Sequence, residues 1–357
     1  MQSGFSLGFS LQDIRVWGEV PQLVRTGVNT SVHQAWAEVR LSDQAAVKAG
    51  RQEIVYDDHR IFGNVDWAQQ GRSHDAAILK WDSGEGFTVH GGFAYNQESE
   101  RIMGTVYEMN NYKAFQYLWL NNQWEDIRIS LLFLNNGWQH SPDNTAFSQT
   151  AGGRIEYSPG RYSLSGSAYM QTGRDASNRN LSAHYLSAEL SQPLHESIIL
   201  QTGFEVLSGT DRQDMEDPGY TNNSFNPFYG TNHRFNGHMD YFYVGNHIND
   251  VGLRDFYGGM AYSPGWWSAG FRTHVFASDA LLDDPANGGE TMPRYLGTEI
   301  DLYFGLQLYE RATLRIGYSH MFASRSMEVL KGGSRRETNN WAWVMLVLNP
   351  EFFNMQR

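Results

Sequence analysis

The chain has no cysteine among its 357 residues. That excludes a disulfide framework, a thiol nucleophile and any cysteine-based zinc site. It has no apolar run near the ~18 residues that a membrane-spanning helix needs, and its mean hydropathy is −0.51. Basic residues are scarce: 27 Lys and Arg stand against 39 Asp and Glu, a net charge of −12. Nucleic acid is excluded as a partner on this ground, because phosphate contacts need clustered Lys and Arg. There is no nucleotide-binding loop and no G-x-S-x-G nucleophile string, so the chain reads as a non-enzyme without cofactor or metal. No signal peptide precedes the alternating run Phe5, Leu7, Phe9, Leu11, and the sequence reads as one that starts after its natural beginning.

What is present is a rhythm of strand-like segments joined alternately by short and long connections. The short joints fall at 41–45, 82–85, 121–123, 158–160, 192–195, 263–265 and 309–310. The long ones fall at 19–30, 55–71, 97–111, 137–146, 209–251, 279–293 and 323–339. A soluble sandwich has no reason to sort loops by length, whereas an outer-membrane barrel has short periplasmic turns and long outer loops. Sixteen strands are expected, at 4–18, 31–40, 46–54, 72–81, 86–96, 112–120, 124–136, 147–157, 161–173, 180–191, 196–208, 252–262, 266–278, 294–308, 311–322 and 340–349. The fold class is therefore an all-β, transmembrane, antiparallel up-and-down barrel in one domain, in the outer membrane of a Gram-negative bacterium.

Period-two alternation separates two faces. Ile127, Ile129, Leu131 and Phe133 share one; Asp126, Arg128 and Ser130 share the other. Aromatics flank the short joints, Trp81 with Phe87, Trp119 with Trp124, Tyr157 with Tyr162 and Tyr262 with Trp266, as an interfacial girdle requires. Glycines recur on the polar face, at Gly50, Gly152, Gly203, Gly270, Gly297, Gly305 and Gly317. Such glycines either leave room in an aqueous lumen or relieve sheet curvature. By parity the lumen receives Lys48, Asp126, Arg128, Arg154, Glu156, Glu205, Arg272, Glu299, Asp301 and Arg315. Arg128, Arg154, Arg272 and Arg315 are placed to form a ladder for an anionic solute.

The string GRQEIVYDDHRIFGNVDWAQQGRSHD from Gly50 to Asp75, with LQDIRVWGE at 11–19 and NWAWV at 340–344, resembles the alginate-export domain family of outer-membrane barrels, in particular its Bacteroidetes-type forms. The resemblance implies an eighteen-stranded monomer that passes anionic polysaccharide, with two further strands before residue 11. Within the string, Arg51, Glu53, Asp57, Asp58, Arg60, Asp66, Arg72 and Asp75 are nearly balanced in sign. Paired charges of this kind hold a loop inside a lumen, where it forms either a constriction or a structural salt-bridge network. The aromatic loop at 209–251 is expected to act as a lid or to capture solute through Phe228, Tyr229 and Tyr243. Expected partners are outer-membrane lipid, lipopolysaccharide beside the acidic loops, and an anionic oligo- or polysaccharide. The alternatives are a diffusion porin unrelated to alginate and a surface-binding protein.

Overall fold

A computed structural model describes residues 4–20, 29–65, 69–97, 112–243 and 247–351, together with 23, 67 and 107. Sixteen strands form one antiparallel sheet in which every strand pairs with its neighbours in the chain. They are β1 (Phe5–Asp13), β2 (Thr30–Arg40), β3 (Ala45–Gln52), β4 (His74–Asp82), β5 (Phe87–Tyr95) and β6 (Ala114–Trp124). Next come β7 (Ile127–Ser141), β8 (Asn144–Tyr157), β9 (Ser163–Arg174), β10 (Asn180–His195) and β11 (Ile198–Leu207). The last are β12 (Leu253–Tyr262), β13 (Trp267–Ala277), β14 (Tyr295–Tyr309), β15 (Ala312–Ala323) and β16 (Asn340–Leu348). One short helix, α1 (Arg325–Lys331), lies between the last two strands and is capped by the Ser324 hydroxyl, which accepts from the Met327 N–H.

The sheet is inside out by the standard of a soluble protein. Leu131 is 53 % exposed and Phe133 46 %, whereas Ser130, one residue away on the other face, is 2 % exposed. Register carries each face across strands. Between β6 and β7, Leu118 opposes Phe133 and Leu120 opposes Leu131 on the apolar face. On the polar face Tyr117 opposes Leu134, Trp119 opposes Leu132 and Asn121 opposes Ser130. An apolar face left outward over so many strands is a lipid-facing surface.

Connections on one side are short throughout, at 41–44, 83–86, 125–126, 158–162, 196–197, 263–266 and 310–311. The turn after β6 falls at Glu125–Asp126 rather than at 121–123, because β6 runs on to Trp124. Two expectations change with it. Asp126 sits exposed in the turn and lines no wall, and Trp119 lies on the polar face instead of in the girdle. The joint at 137–146 is also not long: β7 and β8 extend toward each other and leave only Pro142 and Asp143.

The polar-face glycines do not leave open space. Register places an aromatic opposite each of Gly8, Gly92, Gly203, Gly270 and Gly317, namely Trp36, Tyr117, Tyr257, Tyr303 and Trp343. A Cβ at Gly92 would stand 2.0 Å from the Tyr117 ring, and one at Gly317 2.3 Å from the indole of Trp343. Each ring lies down over its glycine, which is how a bare stretch of sheet is covered.

Contacts group into two units, one of residues 1–156, 167–184 and 218–234, the other of 157–166, 185–217 and 235–357. The long connection after β11 is thus shared out, its 218–234 part to the first unit and its 208–217 and 235–251 parts to the second.

Candidate functional site: inward-folded loops and the cleft beneath them

In the first unit the connection between β3 and β4 folds back onto the polar face. Positive φ at Asp57 (52°) and His59 (68°) turns it sharply. The Tyr56 hydroxyl meets His90 Nδ1 and the Tyr117 hydroxyl, each at 2.9 Å, and its ring stacks on Trp119 at 4.5 Å and 22°. Asp57 accepts from Trp119 Nε1 at 3.3 Å, and burial pushes its carboxyl above the usual range against the hydrogen bonds of Ser130 and Trp119. Asp58 accepts from Arg154 Nη1 at 2.8 Å. Arg154 also donates through Nε to Glu156 at 2.9 Å and through Nη1 to Ser167 at 3.2 Å.

The 218–234 segment locks this loop down. Phe62 and Tyr229 form an isolated parallel bridge, with Gly63 N–H donating to Tyr229 O at 2.8 Å and Tyr229 N–H to Ile61 O at 3.1 Å. Thr231 N–H donates to His59 O at 2.9 Å, and Arg72 donates to Gly230 O at 2.9 Å. The rings of Phe62, His74, Tyr112, Phe115 and Tyr229 pack together, with centroids 4.6–6.0 Å apart. Tyr229 also donates its hydroxyl to Asn136, and Gln171 on β9 exchanges hydrogen bonds with Asn226 at 2.7 and 2.9 Å.

The sequence-derived residues divide accordingly. Phe228 and Tyr229 are buried in this packing and present little to solvent, while Tyr243 is 41 % exposed. Arg51 pairs with Asp75 at 2.9 Å, and Glu53 with His33 at 2.7 Å. Arg60 is buried, with its N–H on Asp58 Oδ1 at 3.1 Å. Asp66 lies outside the described residues. Lys48 holds its ammonium 4.0 Å over the Trp36 ring.

Beneath the loop a cleft of about 320 Å³ opens between loop and wall, bordered by Tyr56, Asp57, Trp119, Arg128, Arg154 and Glu156. Arg128 reaches it with half its side chain exposed, 3.6 Å from Glu156 and 3.1 Å from Gln123 Oε1. Sequence reasoning missed Trp119, Asn121 and Tyr56 as cleft residues. For Trp119 and Asn121 the signal available was parity with Tyr117 on β6, hidden by the misplaced turn; Tyr56 lies in a connection, where parity carries none.

In the second unit, Glu205, Glu299 and Asp301 lie on the polar face as expected, yet they are buried, together with Asp255. The 236–239 turn covers them. Asn236 Nδ2 donates to Glu205 at 2.7 Å and Asp255 at 3.1 Å, Met239 N–H donates to Glu299 at 2.8 Å, and His238 N–H to Asp301 at 3.4 Å. Gly237, at φ +82°, allows the approach: a Cβ there would stand 2.5 Å from Glu299 Oε1. His274 Nδ1 lies 2.8 Å from Asp255, and the Tyr185 hydroxyl donates to Glu205 at 2.9 Å. Arg272 bonds Gln201 at 2.8 Å, and Arg315 is exposed opposite Gly305. No metal-holding group of three or more His, Cys, Asp or Glu occurs among the described residues.

No protein-family model and no curated protein matches the sequence. Solved structures do. OccK9 (OpdG) of Pseudomonas aeruginosa aligns with a TM-score of 0.58 at 14% identity, over 97% of this chain and 88% of that one. OccK1 (OpdK) of the same organism aligns at 0.56 and 13%, over 94% and 83%, and OccAB4 of Acinetobacter baumannii at 0.55 and 10%, over 89% and 76%. These neighbours are Occ-type porins, so the alginate-export resemblance is overturned. The string from Gly50 to Asp75 that carried the resemblance encodes a docked loop, with residues for sharp turns (Asp57, His59) and for burial (Arg60, Phe62). The likeness gives the fold, and the fold is that of the 16-stranded outer-membrane porin barrels, whose polar face lines the lumen and whose apolar face meets lipid.

Proposed function

We propose that the chain is a passive diffusion channel of the outer membrane, selective for small polar solutes, whose narrow part is built by the 53–73 loop tied to the 218–234 segment. The observation that carries this reading is the inward docking of that loop onto the polar face through Tyr56, Asp57 and Asp58. A surface-binding protein has no need to fold its longest connections inward.

A polyanion is a poor solute for such a passage. Of the expected arginine ladder, Arg154 is held between Asp58 and Glu156 and Arg128 stands beside Glu156, which leaves only Arg272, bonded to the uncharged Gln201, and the exposed Arg315 without a facing carboxylate. A charge already paired offers little to a passing carboxylate. The sequence carries no nucleotide-binding loop, and on this reading solute moves down its gradient.

The experiment is single-channel recording of the full chain in planar bilayers, with residues 56–70 replaced by a short Gly-Ser link. The substituted channel should conduct several times more than the parent. Equal conductance would remove the loop as the constriction.

A further inference from the structure

The cleft under the 53–73 loop carries an inference about which small polar solute the channel takes, and it rests on the channel reading above. Three observations converge there. The first is charge. Arg154 is neutralised by Asp58 at 2.8 Å and Glu156 at 2.9 Å, and Glu156 also faces Arg128 at 3.6 Å. An ionic solute gains no partner from Arg154 without displacing Asp58 or Glu156, which is costly in a confined site, whereas Arg128, half exposed and 3.6 Å from Glu156, keeps donors free for a hydroxyl. The second is shape. The Trp119 indole, backed by the Tyr56 ring at 4.5 Å, gives the cleft one flat wall. The third is the remaining hydrogen-bonding set: Arg128 is half exposed, the Asn121 amide makes only a long 3.5 Å contact to Ile129 O, and Glu156 offers an acceptor.

An aromatic wall with planar donors and acceptors at its edge, with its arginines facing carboxylates and Asp57 turned onto Trp119 Nε1, matches one chemistry. A pyranose ring has an apolar C–H face that lies on an indole, and an edge of hydroxyls that both donate and accept. The volume, about 320 Å³, is at the small end of small-molecule sites, which run from ~300 to ~1,000 Å³. We infer that the cleft beneath the inward loop is a binding subsite for a neutral sugar of one or two rings, with Trp119 as the stacking wall and Arg128, Asn121 and Glu156 as hydroxyl partners. The sugar would dwell there in transit, so transport saturates with its concentration.

The test is block of the ion current through the reconstituted full chain by glucose and sucrose, with glucuronate and lysine as charged comparators at equal concentration. Block by a neutral sugar should saturate and be tighter than block by either ion. Arg128→Gln and Asn121→Ala, both on the wall and away from the loop's anchors, should each raise the half-blocking concentration about fivefold, the loss expected for one hydrogen bond of ~1 kcal/mol. Block that rises linearly without saturation overturns the subsite, as does tighter block by glucuronate or lysine, or block indifferent to both substitutions. A chain that inserts but passes no current overturns the channel reading instead. In that case, a saturable tryptophan-fluorescence change on adding glucose, weakened in Arg128→Gln, would still uphold the sugar site, and its absence would sink it.

Discussion

Asn236 does the work of several residues. Its amide donates to Glu205 and to Asp255, two carboxylates that are otherwise close to no bulk solvent. Removing a donor from a buried anion leaves its desolvation uncompensated, at ~1–3 kcal/mol or more for a charged group. Asn236→Ala should therefore lower the temperature at which the folded barrel loses its compact mobility in SDS gels, while Asn236→Asp, which adds a further anion, should lower it more. Equal melting of both variants and the parent would mean that the turn is not held by those carboxylates. Sequence parity placed Glu205, Glu299 and Asp301 on the correct face but said nothing of their burial. The residues that bond them stand 31 positions from Glu205 and 60 from Glu299 in the chain, and alternation within a strand carries no information about what folds over it.

At the level of elements, the strands and their faces were legible because lipid and water impose opposite polarity on alternate residues. Turn positions were less so: Asn121, Asn122 and Gln123 look like turn residues but belong to β6, and the true turn at Glu125–Asp126 has a plain composition. The 53–73 loop was expected to be held by paired charges, yet its anchor is mostly aromatic. Phe62 sits at the centre of that anchor, bridged to Tyr229 and packed on His74, Phe115 and Tyr117. Phe62→Ala removes a buried ring, a change worth ~3–5 kcal/mol in a packed site. Single channels of this variant should be noisier and larger in mean conductance than the parent, with the barrel still resistant to SDS. Unchanged current noise would show that the loop is held by its ion pairs alone.

The outer cap of the second unit has a pH limit of its own. Val251, Ala280, Leu282 and Met292 form a small apolar core under α1, against which Val329 and Leu330 pack. His247 is buried beside it and donates Nε2–H to Gly252 O at 3.0 Å. Burial, reinforced by the Lys331 charge, pulls its pKa down to about 4. A depressed base is held neutral when folded, so its contribution is whole above the free-histidine value near 6.5 and is lost as pH falls from there toward 4. Lys331, drawn down to about 8 by burial, keeps its charge throughout that window. Amide exchange in 247–252 and 325–331 should accelerate between pH 6.5 and 4, and His247→Gln should flatten that dependence. Exchange that stays constant down to pH 4 would contradict it.

For the whole molecule the governing quantity is where net charge of −12 resides. Arg154 and Arg128 face carboxylates, and the deep carboxylates of the second unit are covered by the chain itself, so the wall's charge open to solute is chiefly that of Arg272 and Arg315. The excess lies at the long-loop side, in stretches such as Asp211–Asp217 and Asp279–Glu290, where Asp214, Glu216 and Glu290 are exposed. Exposed charges at a channel mouth act through the local ion concentration and not through contact, so their effect follows the Debye length, ~10 Å at 0.1 M and ~3 Å at 1 M. The full chain under a KCl gradient should therefore show a modest cation preference at low ionic strength that fades toward molar salt. Neutralising Asp214, Glu216 and Asp217 together should remove most of that preference without altering conductance at 1 M. A reversal potential favouring chloride, or a cation preference that survives molar salt, would place the selecting charges in the wall and revive the arginine ladder.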